Sequence, residues 1–310
     1  MRMKYFALLM LLTLTLYSCG GGSGGGGDDT QTARLRIKNS CGYTIWIQHT
    51  NDPNSINEVS QLTAGQYVDY TIPDAGRASD RFWAKKGCDS TGQNCTTGQS
   101  SNPCPVGGCQ PPVDSKLETT WGCVLSDQTQ CAVNPSDTSQ KLSDTYFNAS
   151  AVDGYTLPFT VTIASTVDTN TYASCVNVDC SQLSLSQCPA NENLSQGMSG
   201  TYSQYASENL NVSGGVLGCF SPCKKLNYTA NFGGEGQNED TDPTVIYCCP
   251  TPPITVDQCR AGPVANTQYV AAVHTMCSNG VYGYAYDDVT GLRHCAPDLK
   301  LEMTFGPNCP

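Results

Sequence analysis

Charge is scarce in this chain. Only 14% of its 310 residues are Asp, Glu, Lys or Arg, and acids outnumber bases to a formal net charge of -11. That balance offers no basic patch for a phosphate backbone, so nucleic-acid binding is not expected. Histidine is rarer still, with three residues and none placed as a metal-ligand pair. A phosphate-binding loop, a dinucleotide fingerprint and a Gly-x-Ser-x-Gly elbow are also missing, which sets aside the common nucleotide-dependent and serine-hydrolase chemistries. The apolar run from Tyr5 to Tyr17 falls short of the roughly 20 residues that a membrane-spanning helix needs.

What the chain does have is cysteine, 19 in all, and a start built like a processing signal. Met1-Arg2-Met3-Lys4 is positive, the apolar run follows, and Leu16-Tyr17-Ser18-Cys19 resembles a bacterial lipobox, whose cysteine is lipidated and becomes the mature N-terminus. Gly20 to Asp29 reads GGGSGGGGDD, a flexible tether with nothing to pack. The expected organisation is a signal over residues 1–19 with Cys19 as lipid site, a tether over 20–32, and one domain over 33–310. Such a chain is exported and held at a bacterial surface or periplasmic face, in the outer membrane if the host is Gram-negative, touching the membrane through its lipid alone. Without Cys19 an even 18 cysteines remain, and export with an even count points to disulfides. Zinc competes at Cys219-x-x-x-Cys223 and Cys175-x-x-x-x-Cys180, but Cys248 and Cys249 are adjacent and no histidine pair exists. No metal or other cofactor is expected.

Thr, Ser, Asn, Gly and Tyr are abundant, which favours strands and loops over helices. Apolar and polar residues alternate in Ala33 to Lys38 and Tyr43 to Ile47, as in strands with one buried face. Gln66 to Ile72, Arg81 to Ala84, Leu157 to Ile163 and Leu299 to Phe305 read the same way. Leu217 to Leu226 and Val270 to His274 are candidate helices. A cysteine-, glycine- and proline-rich stretch about residues 88–113 reads as a small loop lobe, and a second cysteine-dense stretch about 181–277 as a large one. Within the latter, Thr229 to Asp242 is an acidic, glycine-rich loop with nothing to bury, expected to be mobile.

The order of motifs resembles the thaumatin-like family, also known as pathogenesis-related family 5. The parts are NSCGYTIW (39–46), RFWAKKGC (81–88), VDGYTLP (152–158), QCPA (187–190), YCC (247–249), YGYAYDD (282–288) and the closing Cys309. The resemblance covers the chain from Ala33 to Pro310. It implies a mainly β fold with few helices, a flattened sandwich or barrel carrying two disulfide-rich loop lobes. It also implies the pairs Cys41–Cys309, Cys88–Cys95, Cys104–Cys109, Cys175–Cys295, Cys180–Cys277, Cys188–Cys219, Cys223–Cys248 and Cys249–Cys259. Cys123 and Cys131 remain, eight residues apart in an expected hairpin, and make a ninth bridge.

Members of the family carry a cleft lined by an arginine, a glutamate and three aspartates. Carried over, these are Arg81, Glu118 in Ser115-Lys116-Leu117-Glu118, Asp153 and Asp287, with Asp288 as a solvated neighbour. The third aspartate is replaced by Asn148, which can hold a hydroxyl but cannot act as a base. Phe147, Tyr155, Tyr282, Tyr284 and Tyr286 are candidate aromatic faces, although alternation in strands would send about half of them inward. The resemblance implies polysaccharide binding in this acidic cleft, with β-1,3-glucan as the ligand class and Arg81, Asn148, Tyr155 and Tyr286 as binding residues. It equally admits a weak endo-β-1,3-glucanase, a glycoside hydrolase with Glu118 as acid and Asp153 or Asp287 as base or nucleophile. A structural or inhibitor module with an unused cleft is the third reading. A monomer is expected.

Overall fold

Alternation along Leu35-Arg36-Ile37-Lys38 sends Leu35 and Ile37 to one side of a strand and the two basic residues to the other. In the computed structural model, which describes residues 31–51, 58–99, 113–195, 209–212, 215–228 and 233–310, the apolar pair is buried and the basic pair half-buried. This strand, β1 (Gln31–Asn39), begins inside the stretch read as tether, since Gln31 and Thr32 already pair with Pro73 and Ile72. Cys19, the rest of the tether and the Cys104–Cys109 pair lie outside the described residues.

β1 belongs to a five-stranded sheet ordered β12 (Val178–Cys180), β11 (Phe159–Ile163), β16 (Leu301–Phe305), β1 and β4 (Tyr67–Pro73). β1 and β16 run parallel, from Leu35 beside Leu301 to Asn39 beside Phe305. The second sheet has six antiparallel strands: β15 (Arg293–Cys295), β9 (Thr145–Ser150), β6 (Lys116–Trp121), β5 (Arg77–Lys85), β2 (Ile45–Thr50) and β3 (Glu58–Leu62). Inward residues of both sheets, among them Ile37, Ile47, Phe82, Leu117, Phe159 and Met303, form one apolar cluster. That shared core makes the domain a β-sandwich. Each such large apolar side chain contributes about 1.5–3 kcal/mol by leaving water.

Two small sheets hang from the sandwich: β10 (Gly154–Tyr155), β14 (Gly215–Phe220) and β13 (Asn209–Val212) in one, and the hairpin β7 (Val133–Asn134) with β8 (Asp137–Lys141) in the other. The candidate helix over Leu217–Leu226 divides in the structure. Its first part is β14, and helix α1 (Pro222–Asn227) starts only where Ser221 caps the amide of Lys224 and Pro222 opens the first turn. The short helices α2 (Val245–Cys248) and α3 (Val256–Ala261) follow, then α4 (Gln268–Met276) and the single turn α5 (Asp288–Gly291). The described part of the acidic loop is tied down against α1: Glu235 and Gln237 donate their amides to the carbonyls of Lys225 and Leu226, and Glu235 pairs with Lys225 at 3.3 Å. The expected helix is therefore met over its second half only, its first half being a strand because Cys219 and Phe220 pair with Tyr155 and Gly154.

Among the described residues the disulfides are Cys41–Cys309, Cys88–Cys95, Cys123–Cys131, Cys175–Cys295, Cys180–Cys277, Cys188–Cys219, Cys223–Cys248 and Cys249–Cys259. Cys41–Cys309 clips the chain ends beside the β1–β16 pair, while Cys223–Cys248 and Cys249–Cys259 hold the short helices of the large lobe.

A bulge in β5 between Arg77 and Asp80, with Ser79 at φ 63°, turns Asp80 into the core and Arg81 out of it. The buried Asp80 carboxylate accepts from His49 Nε2 at 3.1 Å, Arg77 Nε at 2.8 Å and Trp121 Nε1 at 2.7 Å. Replacing Asp80 with Ala leaves these donors without an acceptor and is expected to cost about 3–5 kcal/mol. Urea unfolding of the oxidised domain checks this; a loss below about 1 kcal/mol would show that water replaces the carboxylate.

Candidate functional site

Side chains alternate along β6, so Lys116, Glu118 and Thr120 share the face turned away from the core, while Leu117, Thr119 and Trp121 are buried beneath. Register places Arg81 of β5 and Asn148 of β9 directly across from Glu118. Arg81 Nε lies 3.2 Å from Glu118 Oε1, and Asn148 Nδ2 donates to Oε2 at 3.0 Å. Both carboxylate oxygens of Glu118 therefore have partners. The row opens onto a groove of about 250 Å³ lined further by Ser79, Thr120 and Tyr146.

One step along β6, Lys116 is buried and pairs with Asp153 Oδ2, and its ammonium lies 3.4 Å from Asp114 Oδ1. Lys224 of α1 reaches Asp153 Oδ1 at 3.3 Å. Asp153 stands between two ammonium groups. Its burial would raise its pKa, but Lys116 and Lys224 outweigh that and hold the carboxyl well below the usual range. Burial likewise opposes the charge on Lys116, yet Asp114, Asp153 and Glu118 together drive its pKa above the ordinary lysine value. Asp114 is the group left over. Burial pushes it up to about 7, against the pull of Lys116 and with help from Asp153 and Glu118. Gly154, at φ 120°, lets this corner close: a Cβ there would run into the carbonyl oxygen of Cys219 on β14.

The stretch YGYAYDD packs along the end of β9, where Tyr282 exchanges backbone hydrogen bonds with Ala149 and Ala151. It does not deliver Asp287 to the groove. Asp287 is buried, and its Oδ2 accepts from His274 Nε2 of α4 at 2.8 Å and from the Gly283 amide at 2.9 Å. Asp288 beside it is partly exposed, as expected of a solvated neighbour, and has partners of its own. It accepts from the Tyr282 hydroxyl and pairs with Arg260 at 2.5 Å.

The site residues expected from sequence are thus dispersed. Arg81, Glu118 and Asn148 form one row. Asp153 opens instead onto a pocket of about 240 Å³ beneath the large lobe, with Lys224, Glu239, Tyr247 and Tyr284 in its wall. Asp287 lines neither hollow. Tyr155 and Phe147 are fully buried core residues, so neither offers an aromatic face; the Tyr155 hydroxyl donates to the Ser184 carbonyl. Tyr286, at φ 68°, packs half-buried on the apolar cluster of the large lobe. Glu118 and Asp153 are each charge-compensated, the first by Arg81 and the second by Lys116 and Lys224. Sequence reasoning missed Asp114, Lys116, Lys224 and His274. Period-two spacing in Asp114-Ser115-Lys116-Leu117-Glu118 was a readable signal for the first two; nothing local marked Lys224 or His274.

A disulfide-stapled β-sandwich with a charged groove on one sheet and a helical lobe beside it is the class of protein defined here. The profile of the Thaumatin family matches residues 39–307, and the chain belongs to that family. It is 26% identical over 286 residues to "Thaumatin-like protein 2" of Prunus persica, covering 89% of this chain and 90% of that one. It is 26% identical over 284 residues to "Glucan endo-1,3-beta-glucosidase" of Prunus avium, covering 89% and 91%. Among solved structures, a laminaripentaose-producing β-1,3-glucanase from Paenibacillus barengoltzii aligns with TM-score 0.41 and 14% identity over 89% of this chain and 76% of that one. A thaumatin-like xylanase inhibitor aligns with TM-score 0.36 and 12% identity over 89% and 100%.

Asp114 gives the site a pH signature. Its folded pKa of about 7 lies above the unfolded value near 3.9, so its contribution is present below about pH 4 and is lost as pH rises toward 7. Asp153 has the opposite sign: depressed in the fold, it contributes above about pH 4 and loses that contribution in stronger acid. Asp114→Asn should therefore leave stability near pH 4 unchanged and raise it by about 3–4 kcal/mol at pH 8. Urea unfolding across that range checks it; equal effects at both ends would show that Asp114 is ionised throughout.

Proposed function

We propose that this domain binds a neutral, hydroxyl-rich polysaccharide of the β-1,3-glucan class along the groove over β5, β6 and β9, and does so without cutting it. The observation that carries this reading is the Arg81–Glu118–Asn148 row: an open line of donors and acceptors suited to sugar hydroxyls, each already oriented by its neighbour. Hydrolysis needs a protonated carboxyl and an ionised partner facing one glycosidic bond. Here Asp153 is engaged by two lysines, which makes it a weak base, and Asp287 is buried against His274. Asn148 stands where a carboxylate would complete the set. Hydrolysis through Glu118 is the second reading, favoured by the relative from Prunus avium named as a glucan endo-1,3-β-glucosidase. Export with lipidation at Cys19 accompanies the proposal, and the eight disulfides among the described residues support an oxidising compartment.

The test is affinity electrophoresis of the domain from Gln31 onward in soluble β-1,3-glucan, alongside an assay of released reducing ends. Arg81→Ala should weaken binding by about tenfold, the loss of one charge-assisted hydrogen-bonding group, and no reducing ends should appear. Reducing ends that vanish in Glu118→Gln would establish hydrolysis instead. For the anchor, the full chain expressed in a Gram-negative host should incorporate labelled palmitate, and Cys19→Ser should abolish the label. Incorporation that survives Cys19→Ser would place the lipid elsewhere.

A further inference from the structure

At the β15 end of the groove stands an aromatic ring that none of the charged residues explains. Tyr146 of β9 is 39% exposed and lines the groove with Arg81, Glu118 and Asn148. Register sets His294 of β15 on one side of it and Thr120 of β6 on the other. The rings of Tyr146 and His294 are stacked, with centroids 4.7 Å apart and planes 6° from parallel. One face of Tyr146 is therefore covered. The ring is otherwise open, and it lines the groove together with Thr120, its neighbour across β6.

The backing ring is itself held. His294 Nε2 bonds Asp144 Oδ2 at 2.7 Å, and its backbone amide donates to Ser174 Oγ at 3.1 Å. Tyr172 meets the imidazole edge-on at 5.1 Å and donates its hydroxyl to the other oxygen of Asp144 at 3.1 Å. Asp144 and Tyr172 thus hold the imidazole on which the exposed Tyr146 ring is stacked. A fixed, exposed aromatic face lowers the entropy cost of binding a flat apolar surface. A pyranose has such a surface on the side where its ring C–H groups point, and hydroxyls around its rim. Tyr146 and Asn148 are two residues apart on β9, roughly 7 Å, so a sugar on Tyr146 puts its neighbour over the Glu118 row.

We propose that Tyr146, backed by His294, is a sugar-stacking subsite that takes the apolar face of one pyranose unit of a chain lying along the groove. The proposal rests on the groove reading above and adds to it a residue and a point of contact.

The test uses the chain's own tryptophans as background. Trp46, Trp83 and Trp121 are all buried, so Tyr146→Trp introduces the one solvent-facing indole. Acrylamide quenching of that variant should be reduced by a β-1,3-linked glucose hexasaccharide. In affinity electrophoresis, Tyr146→Ala should weaken glucan binding by about tenfold and Tyr146→Phe by less than about twofold. If the indole is quenched equally with and without the hexasaccharide while glucan binding persists and depends on Arg81, the subsite is wrong and the groove reading stands. If the unsubstituted domain does not bind the glucan at all, both fall.

Discussion

The fold hinges on the parallel pairing of its first strand with its last. β1 and β16 lie side by side in the middle of the five-stranded sheet, 268 residues apart at the Cys41–Cys309 bridge that clips them. Until the final segment arrives, β1 and β11 each lack a neighbour, and the sheet cannot present one apolar face to its partner. The buried Arg34 tightens this closure. It donates to the carbonyls of Leu299, Pro297 and Gly122 and to the Thr145 hydroxyl, tying the C-terminal segment to the second sheet. Burial lowers its pKa to about 10, with Asp298 and Asp74 opposing the shift, so it stays charged at neutral pH. The second sheet, and with it the row on β5, β6 and β9, is held in place by that closure.

Charge compensation then decides what the site can be. Burying Lys116 alone would be prohibitively costly; with Asp153 and Asp114 around it, the cost is offset. The consequence is chemical. Glu118 is matched with Arg81 and Asp153 with two lysines, while Asp287 is hydrogen-bonded to His274 away from both hollows. What remains open is a line of hydrogen-bonding groups ending in a backed aromatic ring.

Much of the fold was legible because its signals are local. Alternation marked β1, β2, β4 and β16. Leu217 to Leu226 is helical only from Pro222, because its apolar first half suits a strand or a helix equally and pairing with β10 chose the strand. Arg81, Glu118 and Asn148 were located by family motif, yet no motif says that they sit in one row; strand register does. Tyr155 and Asp287 have the residue types of a binding site and the positions of core groups, a distinction that belongs to packing.

By itself the sequence determined the class of architecture: period-two patterning demands sheets with one dry face, and cysteine number with scant charge demands covalent stapling of loops that have little to bury. The tertiary structure alone decided which charges meet. Lys224 lies 71 positions from Asp153 and His274 lies 13 from Asp287, and only folding brings each pair within 3.3 and 2.8 Å. A carboxylate's chemistry follows from such neighbours and from its access to water, and neither quantity is written in the residues beside it.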